Sequence, residues 1–351
     1  MKNKLYVLSF LMVLFVVLKS LFFSTFDSDL YILKKLPIYL IILLLALPIE
    51  NKKGVLISFI LSTGIVNLIS IYEIGQHIYT QNNFEIASGE KINEILVVER
   101  LYFGLINSLS VGFSIVLINN KLSPKIKRWL VLGVVLSVFV VFLVVSRIAI
   151  LAILIVFVIN LFKKAAIKKT ILLMGVAFVG VLSLFFLNDN LSKRFFHSDK
   201  KKDFFHKVRE WEPRYVIWNC VYSIFTESDN LLTGTGYSDT QEKLNNCYID
   251  FIQKEKREQW FVKRRFNTHN QYLDFLLCTG IIGLLIFLAL QYELFRLTKK
   301  NTDLLNILLI IVLFGCVENF FHRQVGVYLF SLIIVGTVNN EFSKPKMKTS
   351  S

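Results

Sequence analysis

Apolar runs close to membrane-spanning length, separated by short basic loops, constrain this chain more than any other feature. A helix needs about 20 consecutive apolar residues to cross a bilayer. Runs near that length fall at 5–23, 36–50, 54–72, 95–118, 129–146, 148–162, 170–187, 271–295, 304–321 and 325–338. They predict an all-α polytopic membrane protein with about ten transmembrane helices. The stretch from Trp129 to Asn160, WLVLGVVLSVFVVFLVVSRIAILAILIVFVIN, is too long for one crossing. Its interruption at Ser146 and Arg147 predicts two helices joined by a tight turn. Composition agrees: 54% of the residues are hydrophobic and 32 are Phe, above the roughly 45–50% apolar content of soluble domains.

Charge sets the expected orientation, because cytoplasmic loops collect Lys and Arg. Lys2 and Lys4, Lys52 and Lys53, Lys121 to Arg128, Lys163 to Lys169, Arg296 to Lys300 and Lys344 to Lys348 occupy every second loop. Both termini are therefore expected in the cytoplasm. Most of the formal charge of +15 is explained by these loops, so nucleic-acid binding is not needed to account for it. The first run has a basic start but no small-x-small cleavage site, and reads as a retained helix. The expected organisation is helices 1 to 7 over 1–187, an outside loop over 188–268, helices 8 to 10 over 269–338 and a cytoplasmic tail over 339–351. No zinc-ligand spacing or internal repeat is visible. Cys278 and Cys316 fall within spans, whereas Cys220 and Cys247 share the outside loop and could pair in an oxidising compartment.

The long loop is patterned. In EWEPRYVIWNCVYSIF, Trp211, Tyr215, Trp218, Tyr222 and Phe225 recur at helical spacing after Pro213, which predicts an amphipathic helix at the membrane interface. Arg214 would stand beside that stripe. Gly234 and Gly236 in LLTGTGYSD read as a plain turn, since no strand precedes them.

Ionisable groups gather where spans meet the outside: Glu99 and Arg100, Arg147, Arg214, His269 to Asp274, and Glu318 with Arg323. Such groups are expensive near a bilayer and are candidates for function. Arginine suits a diphosphate, because its planar fork pairs with phosphate oxygens and keeps its charge when buried. Glu99 with Arg100, and Glu318 with Arg323, could instead neutralise one another. Asn267 or Thr268 could cap the next helix and place His269 in its first turn. There the helix dipole would favour the neutral imidazole that a general base requires.

SRIAIL, RYVIW followed by GTG, THNQYLDFLLCTGIIGLLIF and ENFFHRQVG, in this order, resemble the bacterial O-antigen ligase and O-antigen polymerase family over roughly 95–338. The resemblance implies a metal-independent, cofactor-free inverting glycosyltransferase of GT-C type in the bacterial inner membrane, active at the periplasmic face. Its implied donor is an undecaprenyl diphosphate-linked glycan, and its acceptor a glycan or lipid A-core. It implies His269 as the base and Arg147 and Arg214 as diphosphate ligands. Arg100, Arg265, Asn270, Glu318 and Arg323 are supporting candidates, and membrane lipids are expected partners. The alternative is a non-catalytic carrier or flippase that binds a lipid-linked anion through the same arginines.

Overall fold

A computed structural model describes residues 2–23, 25–49, 51–81, 89–120, 122–163 and 212–337. Among these residues the secondary structure is helical, with no strand. The helices are α1 (Lys2–Phe22), α2 (Phe26–Leu33), α3 (Leu36–Leu45), α4 (Lys52–Gln81), α5 (Gly89–Ile95), α6 (Arg100–Ile118), α7 (Pro124–Leu143) and α8 (Arg147–Lys163). Further along, α9 (Pro213–Thr226), α10 (Tyr237–Phe251), α11 (Glu255–Arg264), α12 (Gln271–Thr298), α13 (Thr302–Gly315) and α14 (Gln324–Thr337) follow, with a 3-10 turn at Phe320–His322.

Among the described residues five helices are long and apolar enough to cross a membrane: Lys4–Phe22, Lys53–Thr80, Arg100–Ile118, Pro124–Leu143 and Gln271–Thr298. Arg147–Asn160, Thr302–Gly315 and Gln324–Thr337 are shorter apolar helices. The run expected to span at 36–50 is a 10-residue helix preceded by the 8-residue α2. The run at 170–187 lies outside the described residues, as do Trp211 and most of the loop's first part.

The described residues divide into two compact units. One draws on Met1–Glu50, Lys201–Leu297 and Val312–Val338, the other on Asn51–Lys200, Thr298–Ile311 and Asn339–Ser351. In the second unit α6 is the buried helix, packed against α4, α7 and α8. Asn67 on α4 donates to Asn107 on α6 at 2.8 Å, fully buried. The tight turn expected at Ser146 and Arg147 is present. Val145 takes a positive φ of 53°, and the amides of Val145 and Ser146 bond back to Phe142 and Val141 at 3.1 and 3.2 Å. The Ser146 carbonyl then receives the Ile150 amide and starts α8. Gly104 lets α6 approach this corner, since a Cβ there would collide with the Ser146 hydroxyl and lie 2.9 Å from Ala149.

In the first unit α12 is interrupted inside its apolar stretch. Gly280 has φ 69° and ψ −172°, a conformation essentially restricted to glycine. The break frees carbonyls and amides that an apolar environment would penalise. Residues 231–236 meet them: Thr235 and Gly236 donate to the Leu277 and Cys278 carbonyls at 2.9 and 3.0 Å. The Leu231 and Leu232 carbonyls in turn accept from Ile281 and Ile282 at 2.9 and 3.2 Å. Two backbones in such contact leave no room for a Cβ: at Gly234 it would lie 2.6 Å from the Leu277 oxygen. The segment around Gly234 and Gly236, expected to be a plain turn, is therefore the clasp that joins the loop to the broken helix.

α1 and α2 secure the same clasp. Lys19 donates to the Cys278 carbonyl at 2.8 Å. Asp29, fully buried, accepts from Ser20, Thr25 and the Ser238 amide at 3.1, 3.0 and 2.7 Å, the last at the start of α10. The core of the loop comprises Val216, Ile217, Val221, Leu244, Tyr248 and Phe261, with Leu277 of α12. Cys220 and Cys247 form a disulfide between α9 and α10, their Cα atoms 5.7 Å apart. The aliphatic face of α9 is thus the buried one. Of its aromatic stripe, Tyr222 is 71% exposed and Trp218 39%, whereas Phe225 packs against the core.

Candidate active site

The turn Phe266–Asn270 carries His269, and side chains of the loop hold its backbone. Tyr248 and Gln241 of α10 donate to the Phe266 carbonyl at 3.0 and 3.1 Å. Trp218 of α9 donates to the Thr268 carbonyl at 3.1 Å. Thr268 itself is fully buried.

The helix cap differs from the sequence expectation. Asn270 caps α12, its Oδ1 accepting the Tyr272 and Leu273 amides at 2.9 and 3.1 Å. His269 consequently precedes the helix, in the left-handed region with φ 45°. That conformation is uncommon for a residue with a Cβ, and two acceptors support it. Asn267 Oδ1 receives the His269 amide at 3.0 Å, and Asn319 Oδ1 receives the Asn270 amide at 2.7 Å. Asn267, expected as a possible helix cap, closes an Asx turn instead.

The resulting backbone directs the imidazole toward the 316–319 segment. His269 Nδ1 lies 3.4 Å from Glu318 Oε2, with side-chain exposures of 25% and 11%. Asn270 Nδ2 donates to the Cys316 carbonyl at 3.1 Å. Glu318 is thus engaged with His269. Arg214, in the first turn of α9, reaches the same segment: its Nη2 donates to the Val317 carbonyl at 3.2 Å and its Nη1 pairs with Glu212 at 3.0 Å. Its buried Nε donates to no protein atom among the described residues. Glu212 was not anticipated, although its place two residues before the arginine is plain in the sequence.

A second imidazole stands behind this turn. His322 Nε2 is 3.0 Å from Asp274 Oδ2. Asp274 is 1% exposed, and its other oxygen accepts from Asn319 Nδ2 at 2.9 Å. Lys35 donates to the His322 carbonyl at 2.6 Å. Tyr237 and Tyr31 place their rings edge-on to His322, at 5.8 and 6.5 Å. Burial raises the pKa of both phenols, and the Asp274 carboxylate adds to the rise. Burial first, then Arg323 and Lys34, lowers that of Lys35. An aromatic group of Tyr39, Phe275, Phe287, Phe321 and Phe330 packs beneath the 3-10 turn, with Phe275 stacked on Phe287 at 4.7 Å.

Arg265 and Arg323 are exposed, Arg265 at the left-handed end of α11 and Arg323 after the 3-10 turn. Arg100 and Arg147 belong to the second unit, each opening a helix, α6 and α8. His322 and Asn319 were missed as site residues, their signal being the polar run inside ENFFHRQ next to an apolar helix, and Asp274 was noted only as an ionisable group entering a span.

No curated protein matches the chain. Residues 132–288 match the family model described as O-antigen ligase, a range that contains Arg147, Arg214 and His269 and ends before Glu318. With the resemblance carried by the same motifs in order, residues 132–288 of this multi-pass membrane protein are similar to the O-antigen ligase family.

Proposed function

We propose that this protein is a glycosyltransferase of the periplasmic membrane face, transferring a glycan from an undecaprenyl diphosphate carrier to a sugar hydroxyl. The observation that carries the reading is the His269–Glu318 pair beside Arg214. An ionised carboxylate accepts only, so Glu318 favours the imidazole with its proton on Nδ1. Nε2 is then left with the lone pair that a base uses, the arrangement of a carboxylate-oriented histidine.

In the proposed step His269 Nε2 removes the acceptor hydroxyl proton as that oxygen bonds to the anomeric carbon from the face opposite the leaving group. The bond from the anomeric carbon to the phosphate oxygen breaks, the electron pair leaves with the diphosphate, and the anomeric configuration inverts. Arg214 has an unused donor for the growing charge, and the family resemblance gives Arg147 the same role. No metal enters this scheme. The Cys220–Cys247 disulfide suits an oxidising compartment and so supports the periplasmic assignment of the loop.

The test is a deletion strain complemented with variants. His269→Ala and Arg147→Ala are expected to insert normally and abolish the surface polysaccharide. Normal glycan from both variants rejects the mechanism. A single repeat unit on the acceptor in the deletion strain identifies a polymerase, and an unmodified acceptor with accumulated polymer identifies a ligase.

A further inference from the structure

Hydrogen-bond donors of known direction fix the proton on His322. Asn267 Oδ1 accepts from the His269 amide, a group that can only donate. The carboxamide orientation follows, and its Nδ2, also only a donor, faces His322 Nδ1 at 3.5 Å. That ring nitrogen must present a lone pair. Asp274 leads to the same assignment independently. Asn319 Oδ1 accepts the Asn270 amide, which turns Asn319 Nδ2 toward Asp274. Asp274 also faces Gln271 Nε2 at 3.5 Å. A carboxylate so surrounded by donors receives the proton of His322 Nε2.

The charged and titratable groups around the ring leave this assignment in place. Lys35 is spent on the His322 carbonyl, the Tyr31 and Tyr237 rings meet the imidazole edge-on, and Arg323 on its own segment is exposed. Asn267 is consequently shared between two histidines: one end of its amide supports the His322 tautomer, the other the positive φ of His269.

We propose that His322 is a positioning residue for His269: Asp274 holds it as the Nε2–H tautomer, and its bare Nδ1 locks the Asn267 amide that keeps His269 facing Glu318. A proton on Nδ1 would set donor against donor, turn the Asn267 amide and withdraw the acceptor from the His269 amide. This inference rests on the reading of His269 as the base.

The first measurement needs no variant. Nitrogen-15 spectra of the whole protein in nanodiscs, with His322 assigned by comparison with His322→Gln, are expected to show an unprotonated Nδ1 and a protonated Nε2. The opposite tautomer overturns the proposal. The second follows release of undecaprenyl diphosphate from an undecaprenyl diphosphate-linked oligosaccharide. His322→Gln retains a donor toward Asp274 but loses the Nδ1 acceptor. Asn267→Asp retains the acceptor for the His269 amide but removes the donor, and is expected to add a proton to His322 Nδ1. His322→Gln should lower kcat by about 10²-fold, the size of effect that displacement of a catalytic group produces, with KM changed less than about threefold, whereas Asn267→Asp, which still accepts from the His269 amide, should stay near the parent. Parent kcat in His322→Gln, with His269→Ala inactive, overturns the positioning role alone. Parent kcat in His269→Ala itself overturns the reading beneath it.

Discussion

At the residue scale, two kinds of position are constrained for different reasons. Gly280 and Gly234 occupy positive φ where a Cβ would strike backbone, so neither neighbour has a side chain that can yield. Gly280→Ala is expected to cost about 2–4 kcal/mol, combining strain and overlap, and to show as lower thermal stability in detergent. An alanine variant as stable as the parent contradicts the clasp. His269 and Glu318 are constrained by chemistry. His269→Ala should reduce turnover by about 10²–10⁴-fold, the range for a lost general base. Glu318→Gln keeps the shape of the side chain and should reduce kcat while leaving donor affinity unchanged. Equal kcat for parent and Glu318→Gln would remove the carboxylate from the mechanism.

At the scale of elements, residues 213–270 form a small helical unit whose helices serve the His269 turn. The disulfide between α9 and α10 closes 27 residues of chain, and its loss should destabilise the loop by about 2–4 kcal/mol. Limited proteolysis within 213–270 after Cys220→Ala with Cys247→Ala tests this, and unchanged resistance contradicts it. Alkaline pH should act on this unit and on α2 beside it. Burial raises the pKa of Tyr31, Tyr237 and Tyr248 above the ordinary phenol value, so the folded state keeps protons that the unfolded chain loses. Stability contributed by these groups is present below about pH 10 and declines as pH rises beyond it. Unfolding temperatures measured from pH 8 to 11 should fall over the upper part of that range, and Tyr248→Phe should soften the fall.

Across the whole molecule, helices were the most legible part of the sequence because apolar length and basic punctuation are local signals. The two-helix reading of 129–162 follows from Ser146 and Arg147 and matches the corner seen at Val145. The break in α12 was not legible. A glycine among apolar residues says nothing of whether its helix continues, and Gly280 depends on residues 231–236 far away in the chain. The cap was misplaced for a similar reason. Asn267, Thr268 and Asn270 all have capping side chains, and only partners on Glu318 and Asn319 decide which one serves α12. His269 and Arg214 were singled out by their place at the ends of spans and by family motifs, while the pairing of His322 with Asp274 was hidden because it joins positions 48 residues apart. The central claim remains the chemistry at His269, and its most direct measurement is product formation by purified protein in nanodiscs given an undecaprenyl diphosphate-linked glycan and an acceptor. Free undecaprenyl diphosphate together with a new, inverted glycosidic bond, both absent with His269→Ala, is the result the account predicts; intact donor in every reaction, or equal release by the variant, would contradict it.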